Sequence, residues 1–152
     1  MHRAALTIAF LAISLLTSPA HSCVRNWDDI PEAGKLTEYY TIIDTADLVN
    51  SRGTPLSDFR QVLQQDRYNA HEADGPGGIW LDDGFSAFDL DPYFISLARR
   101  SRIVEADYSL NCPESLTSIA RQIERGQVPG VLAVHVFRGP DDRLRILLWI
   151  VG

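Results

Sequence analysis

The segment from residue 74 to residue 94 combines aromatic rings with carboxylates, the two kinds of group that a recognition surface uses. Its aromatic residues, set between aspartates on a glycine-rich stretch, are Trp80, Phe85, Phe88, Tyr93 and Phe94. Rings supply buried contact area at a low cost in side-chain entropy, and carboxylates select a basic or hydroxyl-rich partner. The sequence therefore predicts a binding site made by Trp80, Asp82, Asp83, Asp89 and Asp91.

The partner expected from this chemistry is another envelope or secreted protein, or a glycan. A second interpretation of the same rings stays open, because each phenylalanine of the segment also suits a place in the hydrophobic core.

The same region offers groups for acid–base catalysis. His71, Glu72 and Asp74 stand where a predicted helix ends beside glycines, and two carboxylates with different pKa values suffice for glycoside or ester hydrolysis. A small cell-envelope hydrolase that pairs Glu72 with Asp82 or Asp83 is therefore the alternative function. The sequence has no G-x-S-x-G, G-x-G-x-x-G or Walker A motif, so the preferred interpretation is a binding protein without enzymatic activity.

The aspartates of this segment also carry the hard oxygens that calcium prefers. Their spacing departs from the D-x-[DN]-x-[DN]-G loop with its distal glutamate, and the histidines are far apart in the sequence. We therefore expect neither a metal ion nor another cofactor.

The only two cysteines are Cys23 and Cys112. Two thiols in one small exported domain usually pair, and closing a loop of this length stabilises a fold by up to about 4.6 kcal/mol on the chain-entropy account. A disulfide is therefore predicted. The alternative is a thiol nucleophile at Cys112, which precedes a helix-starting proline, with His135 as its base.

The N-terminus has the order of a secretory signal. A basic head, Met1 to Arg3, precedes an almost uninterrupted apolar run from Ala4 to Leu16, and Ala20-His21-Ser22 supplies a small-x-small exit. We expect residues 1–22 to be cleaved and residues 23–152 to form one exported domain, periplasmic or secreted, with no transmembrane segment. Acylation of Cys23 would make it a lipoprotein, but Ala20 and His21 fit an acylation signal poorly.

Composition narrows the function classes further. The chain has 152 residues, with 14 lysines and arginines against 20 aspartates and glutamates, which gives a net charge of −6. A protein that binds nucleic acid by neutralising phosphates carries the opposite excess, so no nucleic-acid partner is expected. The length fits a single domain.

Periodicity predicts an α+β fold in which about three helices pack on one face of a small antiparallel sheet. The predicted elements are a strand from Thr37 to Ile43, a helix from Ser57 to about Asn69 or His71, a short helix from Asp91-Pro92 with Phe94, Ile95, Leu97 and Ala98 buried, a helix along Leu116, Ile119, Ala120 and Ile123 capped by Gly126, and a hairpin of Val131–Phe137 with Leu144–Val151.

The register of that hairpin decides where His135 points. A four-residue loop, Gly139 to Asp142, places Phe137 opposite Leu144 and puts His135 on the core face, which is the register that we predict. One more loop residue would move His135 to the face of the arginines, because strand side chains alternate with period two.

Overall fold

The computed structural model describes residues 23–72 and 91–151. Within this part of the chain, one three-stranded antiparallel sheet and three helices are present. The strands are β1 Lys35–Ile42, β2 Val131–Arg138 and β3 Leu144–Val151, and the helices are α1 Phe59–Glu72, α2 Leu97–Ser101 and α3 Pro113–Glu124. The predicted α+β class with a C-terminal hairpin is confirmed.

The central strand is β2, and it pairs with β1 on one side and β3 on the other. Its six residues from 132 to 137 are all buried. A strand covered on both faces has a near-continuous apolar sequence rather than an alternating one, which explains the run from Leu132 to Phe137. The sheet is therefore the middle layer of the described fold.

The helices cover the first face of the sheet. Alternate residues of β2, Leu132, Val134 and Val136, belong to one buried cluster with side chains from α1, from α3 and from the residues on either side of α2. The helical and loop members include Val62, Leu63, Phe94, Ile103, Ile119 and Ile123. Burial of each such side chain contributes about 1.5–3 kcal/mol, so this layer holds most of the hydrophobic stabilisation.

The N-terminal arm covers the second face. Ile30 packs with Leu110, Phe137 and Leu147 in a separate buried cluster, and Val24 lies against it. Val24 also donates its backbone N–H to the carbonyl of Leu110 at 2.9 Å. The second face is thus closed by chain that precedes the first strand.

The predicted hairpin register is wrong by one residue. Arg138 stands opposite Leu144 and Phe137 opposite Arg145, so the loop holds five residues, 139–143, and is closed by the Gly139 N–H donating to the Arg143 carbonyl at 2.7 Å. Asp141 has a φ of 57°, a left-handed conformation that aspartate tolerates better than most residues. The extra residue turns His135 away from the helices and toward the arm.

The short helix predicted from Asp91-Pro92 begins later than expected. The Asp91 carboxylate accepts hydrogen bonds from the Tyr93 and Phe94 N–H groups and so caps a turn, while Ser96 is the N-cap of α2. Phe94 is buried as predicted, whereas Ile95 and Leu97 are 63% and 65% exposed, and Ala98 is exposed too. The other predicted helices and strands agree with the structure to within a few residues.

Cys23 and Cys112 are joined by a disulfide, with their Cα atoms 4.8 Å apart. The bond ties the start of the described chain to the residue that precedes α3. Cys112 therefore has no free thiol in this structure, which removes the thiol-nucleophile alternative for this state. Over residues 23–72 and 91–151, no helix is long and apolar enough to cross a bilayer.

Replacing both cysteines by alanine should lower the free energy of unfolding by about 2–5 kcal/mol, because the unfolded chain regains the freedom that the closed loop removes. Urea unfolding of wild type and of the double variant measures the difference. The intact mass of the wild type should also rise by two hydrogens on reduction. Equal unfolding midpoints and an unchanged mass would contradict the prediction.

Candidate functional site

A buried charge cluster lies between β1 and α1. Arg67, which is 4% exposed, donates from Nε to Asp66 at 2.8 Å, from Nη1 to Asp91 at 3.2 Å and from Nη2 to the Thr41 hydroxyl at 3.1 Å. Its guanidinium also lies over the Tyr39 ring, 4.1 Å from the centroid. We call these five residues the Arg67 cluster.

Two periodicities assemble this cluster. Tyr39 and Thr41 are two residues apart on β1 and so project from the same face of the strand. Asp66 and Arg67 follow the buried Val62 and Leu63 by one helical turn, so they lie on the face of α1 that packs against the sheet. Charged residues at positions where the apolar stripe should continue are the sequence signal that could have revealed the cluster, and sequence reasoning missed it.

The electrostatics of the cluster couple its members tightly. Burial raises the pKa of the Asp66 carboxyl, while the Arg67 guanidinium and the hydrogen bond from Thr41, 2.6 Å long, act in the opposite direction. One guanidinium thus compensates two carboxylates, those of Asp66 and Asp91, both of which are almost fully buried. Removing this cation would strongly destabilise the fold, because each carboxylate would stay buried away from water without its main partner.

Asp91 is the predicted binding residue that the structure describes, and it is 1% exposed. One carboxylate oxygen accepts from the backbone of Tyr93 and Phe94. The other faces Arg67, and His71 Nε2 lies 3.4 Å from it. A contact between this carboxylate and a partner would require Asp91 to leave the cluster, so within the fold its role is to position the chain.

The contact between His71 and Asp91 brings together residues that are 20 positions apart in the sequence. His71 lies in the last turn of α1, and Asp91 begins the second described stretch. The described residues on either side of the intervening segment therefore lie next to each other, beside the Arg67 cluster. The other predicted site residues, Trp80, Asp82, Asp83 and Asp89, and the side chain of Glu72, lie outside the described residues.

A second buried carboxylate system adjoins the same helix. Asp47 is 4% exposed and accepts hydrogen bonds from Asn69 Nδ2 at 2.8 Å and from the Asp44 N–H at 2.9 Å. Burial raises the pKa of Asp47 to about 6, despite these two bonds. Asp47 is therefore a titrating group that ties the chain after β1 to α1.

On the opposite face of the sheet, aromatic rings surround a histidine. The Trp27 ring centroid lies 5.1 Å from that of His135 and 5.9 Å from that of Trp149. His135 is 1% exposed, and among the described residues neither of its ring nitrogens has a hydrogen-bond partner. The sequence analysis placed His135 on the core face of the sheet, and the one-residue error in register accounts for its different surroundings.

Two open grooves flank the disulfide. One, of about 450 Å³, is lined by Val24, Arg25 and the first turn of α3. The other, of about 810 Å³, is lined by Cys23, Arg60 and Tyr108 among others. Neither groove includes His71, Asp91 or His135, so both are separate from the buried histidine and from the Arg67 cluster.

Over the described residues, no group of three or more histidine, cysteine, aspartate or glutamate side chains is placed to hold a metal ion. Comparisons with known proteins match no family model, no curated protein and no solved structure. The function is therefore argued from the residues themselves.

Replacing Arg67 by methionine should destabilise the protein by about 3–5 kcal/mol, because Asp66 and Asp91 would remain buried without their cation. Urea unfolding at neutral pH measures the loss. The matched control is Arg121→Met on the exposed face of α3, which should change stability by no more than about 0.5 kcal/mol. Equal effects of the two substitutions would show that the Arg67 contacts contribute little.

Asp47 should make stability fall as pH rises through 6. Its folded pKa of about 6 exceeds the ordinary 3.8, so between these values the folded state holds a proton that the unfolded state has released, and the stabilisation is lost once the folded carboxyl ionises. Relative to Asp47→Asn, the wild type should lose roughly 2 kcal/mol between about pH 4.5 and about pH 6.5. Parallel stability profiles for the two proteins would contradict this assignment.

Proposed function

We propose that this protein is an exported, non-enzymatic binding domain whose contact residues lie on the segment between His71 and Asp91. The observation that supports this most directly is the Arg67 cluster, which holds the two ends of that segment together inside the protein. Binding residues are commonly carried on connecting segments that a rigid scaffold positions. The cluster supplies such a scaffold beside the described residues that border the segment.

The use of buried charge for this purpose has a physical reason. When an ion pair is buried, the free-energy cost of removing both charges from water offsets much of their attraction. Well-packed apolar residues would therefore hold α1 to β1 about as well. Hydrogen-bonded charges differ from apolar contacts in fixing direction as well as distance. Arg67 bonds at once to β1, to α1 and to Asp91, and this favours a role in setting where the segment starts and ends.

The chemistry of the segment suggests the partner. Trp80 offers a large ring, and Asp82, Asp83 and Asp89 offer negative charge, so the proposed partner presents basic or hydroxyl groups beside an apolar patch. A protein of the envelope or of the extracellular space, or a glycan, has this character. The disulfide between Cys23 and Cys112 is compatible with an oxidising compartment and supports the proposal of export together with the N-terminal signal pattern.

The test is a pull-down from envelope extract of the source organism with wild type and with a Trp80→Ala, Asp82→Ala double variant, followed by calorimetry with the purified partner. The double variant should weaken binding at least about tenfold, as loss of a central anchor does. The matched control makes the same two changes on the arm, Trp27→Ala with Asp28→Ala, and should keep the affinity.

Two results would contradict the proposal. One is an identical set of partners and affinities for the wild type and the Trp80, Asp82 variant. The other is turnover of a glycan, peptide or ester substrate that Glu72→Gln abolishes, since that would identify the hydrolase alternative.

A further inference from the structure

The N-terminal arm is fixed to the sheet at two points. At one point Cys23 is bonded to Cys112, and at the other Ile30 is 9% exposed in the second-face cluster. The residues between them, 25–29, are all exposed. Val24, next to the disulfide, donates its N–H to the Leu110 carbonyl at 2.9 Å and belongs to this fixed end, so we call residues 25–29 the strap.

Few contacts hold the middle of the strap to the sheet. Within the described residues, its hydrogen bonds are either local, such as Asn26 Nδ2 to Asp29 at 2.8 Å, or exposed, as in the ion pair of Arg25 with Glu114 at 3.3 Å. Exposed ion pairs of this kind contribute between about 0 and 1 kcal/mol. The ring of Trp27, itself 42% exposed, supplies the remaining contact, and it rests on His135 and Trp149.

Of the two rings beneath Trp27, His135 is the one that can gain a proton. Nδ1 lies 3.4 Å from a Glu38 carboxylate oxygen, and that carboxylate is already paired with Lys35 at 3.1 Å. Burial lowers the pKa of His135 below its ordinary 6.5; Glu38 and Glu32 oppose this shift and Lys35 reinforces it. The buried ring therefore favours the neutral form while the strap is closed.

The other elements around His135 add little that would favour an imidazolium. On β3 the residue directly opposite is Leu147, and the nearest charged residue on the same face is Arg145, which points toward Asp107 at 3.5 Å. On the strap, Asp28 and Asp29 are exposed. An imidazolium has two N–H donors, and among the described residues an acceptor lies near only one of them, the Glu38 carboxylate at 3.4 Å from Nδ1.

We propose that the strap is an acid-responsive cover that opens when His135 takes up a proton. Opening lets water reach both ring nitrogens, while the disulfide and Ile30 keep the two ends of the strap in place. His135 has a lower proton affinity in the closed form than in the open form. The free-energy difference that favours the closed form is therefore fully present above pH 6.5 and shrinks as pH falls. The open population should grow by up to about tenfold for each pH unit below that value.

The experiment is fluorine NMR of the full chain labelled with 5-fluorotryptophan, in which Trp27→Phe assigns the Trp27 signal and an added fluorinated standard serves as the reference. In the wild type, the Trp27 signal should move toward a solvent-exposed position on acidification, with the same midpoint as the His135 ring protons. In His135→Phe, which keeps an aromatic contact but cannot titrate, the signal should stay constant with pH.

A further variant separates this mechanism from general acid unfolding. Glu38→Gln removes the carboxylate nearest Nδ1, so the midpoint should move to lower pH, whereas the control Asp28→Asn should leave it unchanged. If His135→Phe fails to fold, His135→Gln replaces it, with the same expected constancy. The proposal is overturned if the wild-type Trp27 signal is unchanged down to about pH 4.5, or if the variants without His135 show the same transition.

Discussion

The described fold depends on one cation placed where water cannot reach it. Arg67 contacts two carboxylates, a hydroxyl and an aromatic ring, and these groups come from β1, from α1 and from the residue that resumes the described chain after residue 90. A buried guanidinium without these partners would carry a desolvation cost of several kcal/mol. The elements that supply the partners must therefore remain together, and this requirement holds Asp91 beside α1.

The remaining architecture follows from β2 being buried on both faces. Its even-numbered residues pack against helices, whereas its odd-numbered residues, His135 and Phe137 among them, face the arm. The arm packs weakly against the sheet, because none of the residues in its 3-10 turn, Trp27–Asp29, is buried. A covalent tie at Cys23 compensates for this weak packing, because it limits how far the arm can move in any partly open state.

The elements that could be predicted are those whose signals are local. The i, i+3, i+4, i+7 pattern and Gly126 locate α3, and the apolar runs locate β2 and β3. The hairpin register could not be predicted, because Gly-Pro-Asp-Asp suits a loop of four or of five residues and only the conformation of Asp141 and Asp142 decides between them. The start of α2 could not be predicted either. Asp91 does act as a cap, but it caps a turn that precedes α2 rather than the helix itself.

The site shows the same division between local and distant information. Asp91 was chosen for its type and its neighbours, yet its burial depends on Arg67, 24 residues earlier. The burial of His135 beneath Trp27 depends on a strand register and on an arm that lies more than a hundred residues before it. Proximities of this kind arise from tertiary packing, and one sequence read without relatives contains no signal for them.

The central claim is that Arg67 and Asp91 act as one unit that joins the two ends of the segment between them. A double-mutant cycle with Arg67→Met, Asp91→Asn and the combined variant, followed by urea unfolding, measures this directly. The claim predicts a coupling free energy between about 1 and 3 kcal/mol, with the combined variant losing less than the sum of the single losses. Simple additivity of the two losses, to within about 0.5 kcal/mol, would contradict it.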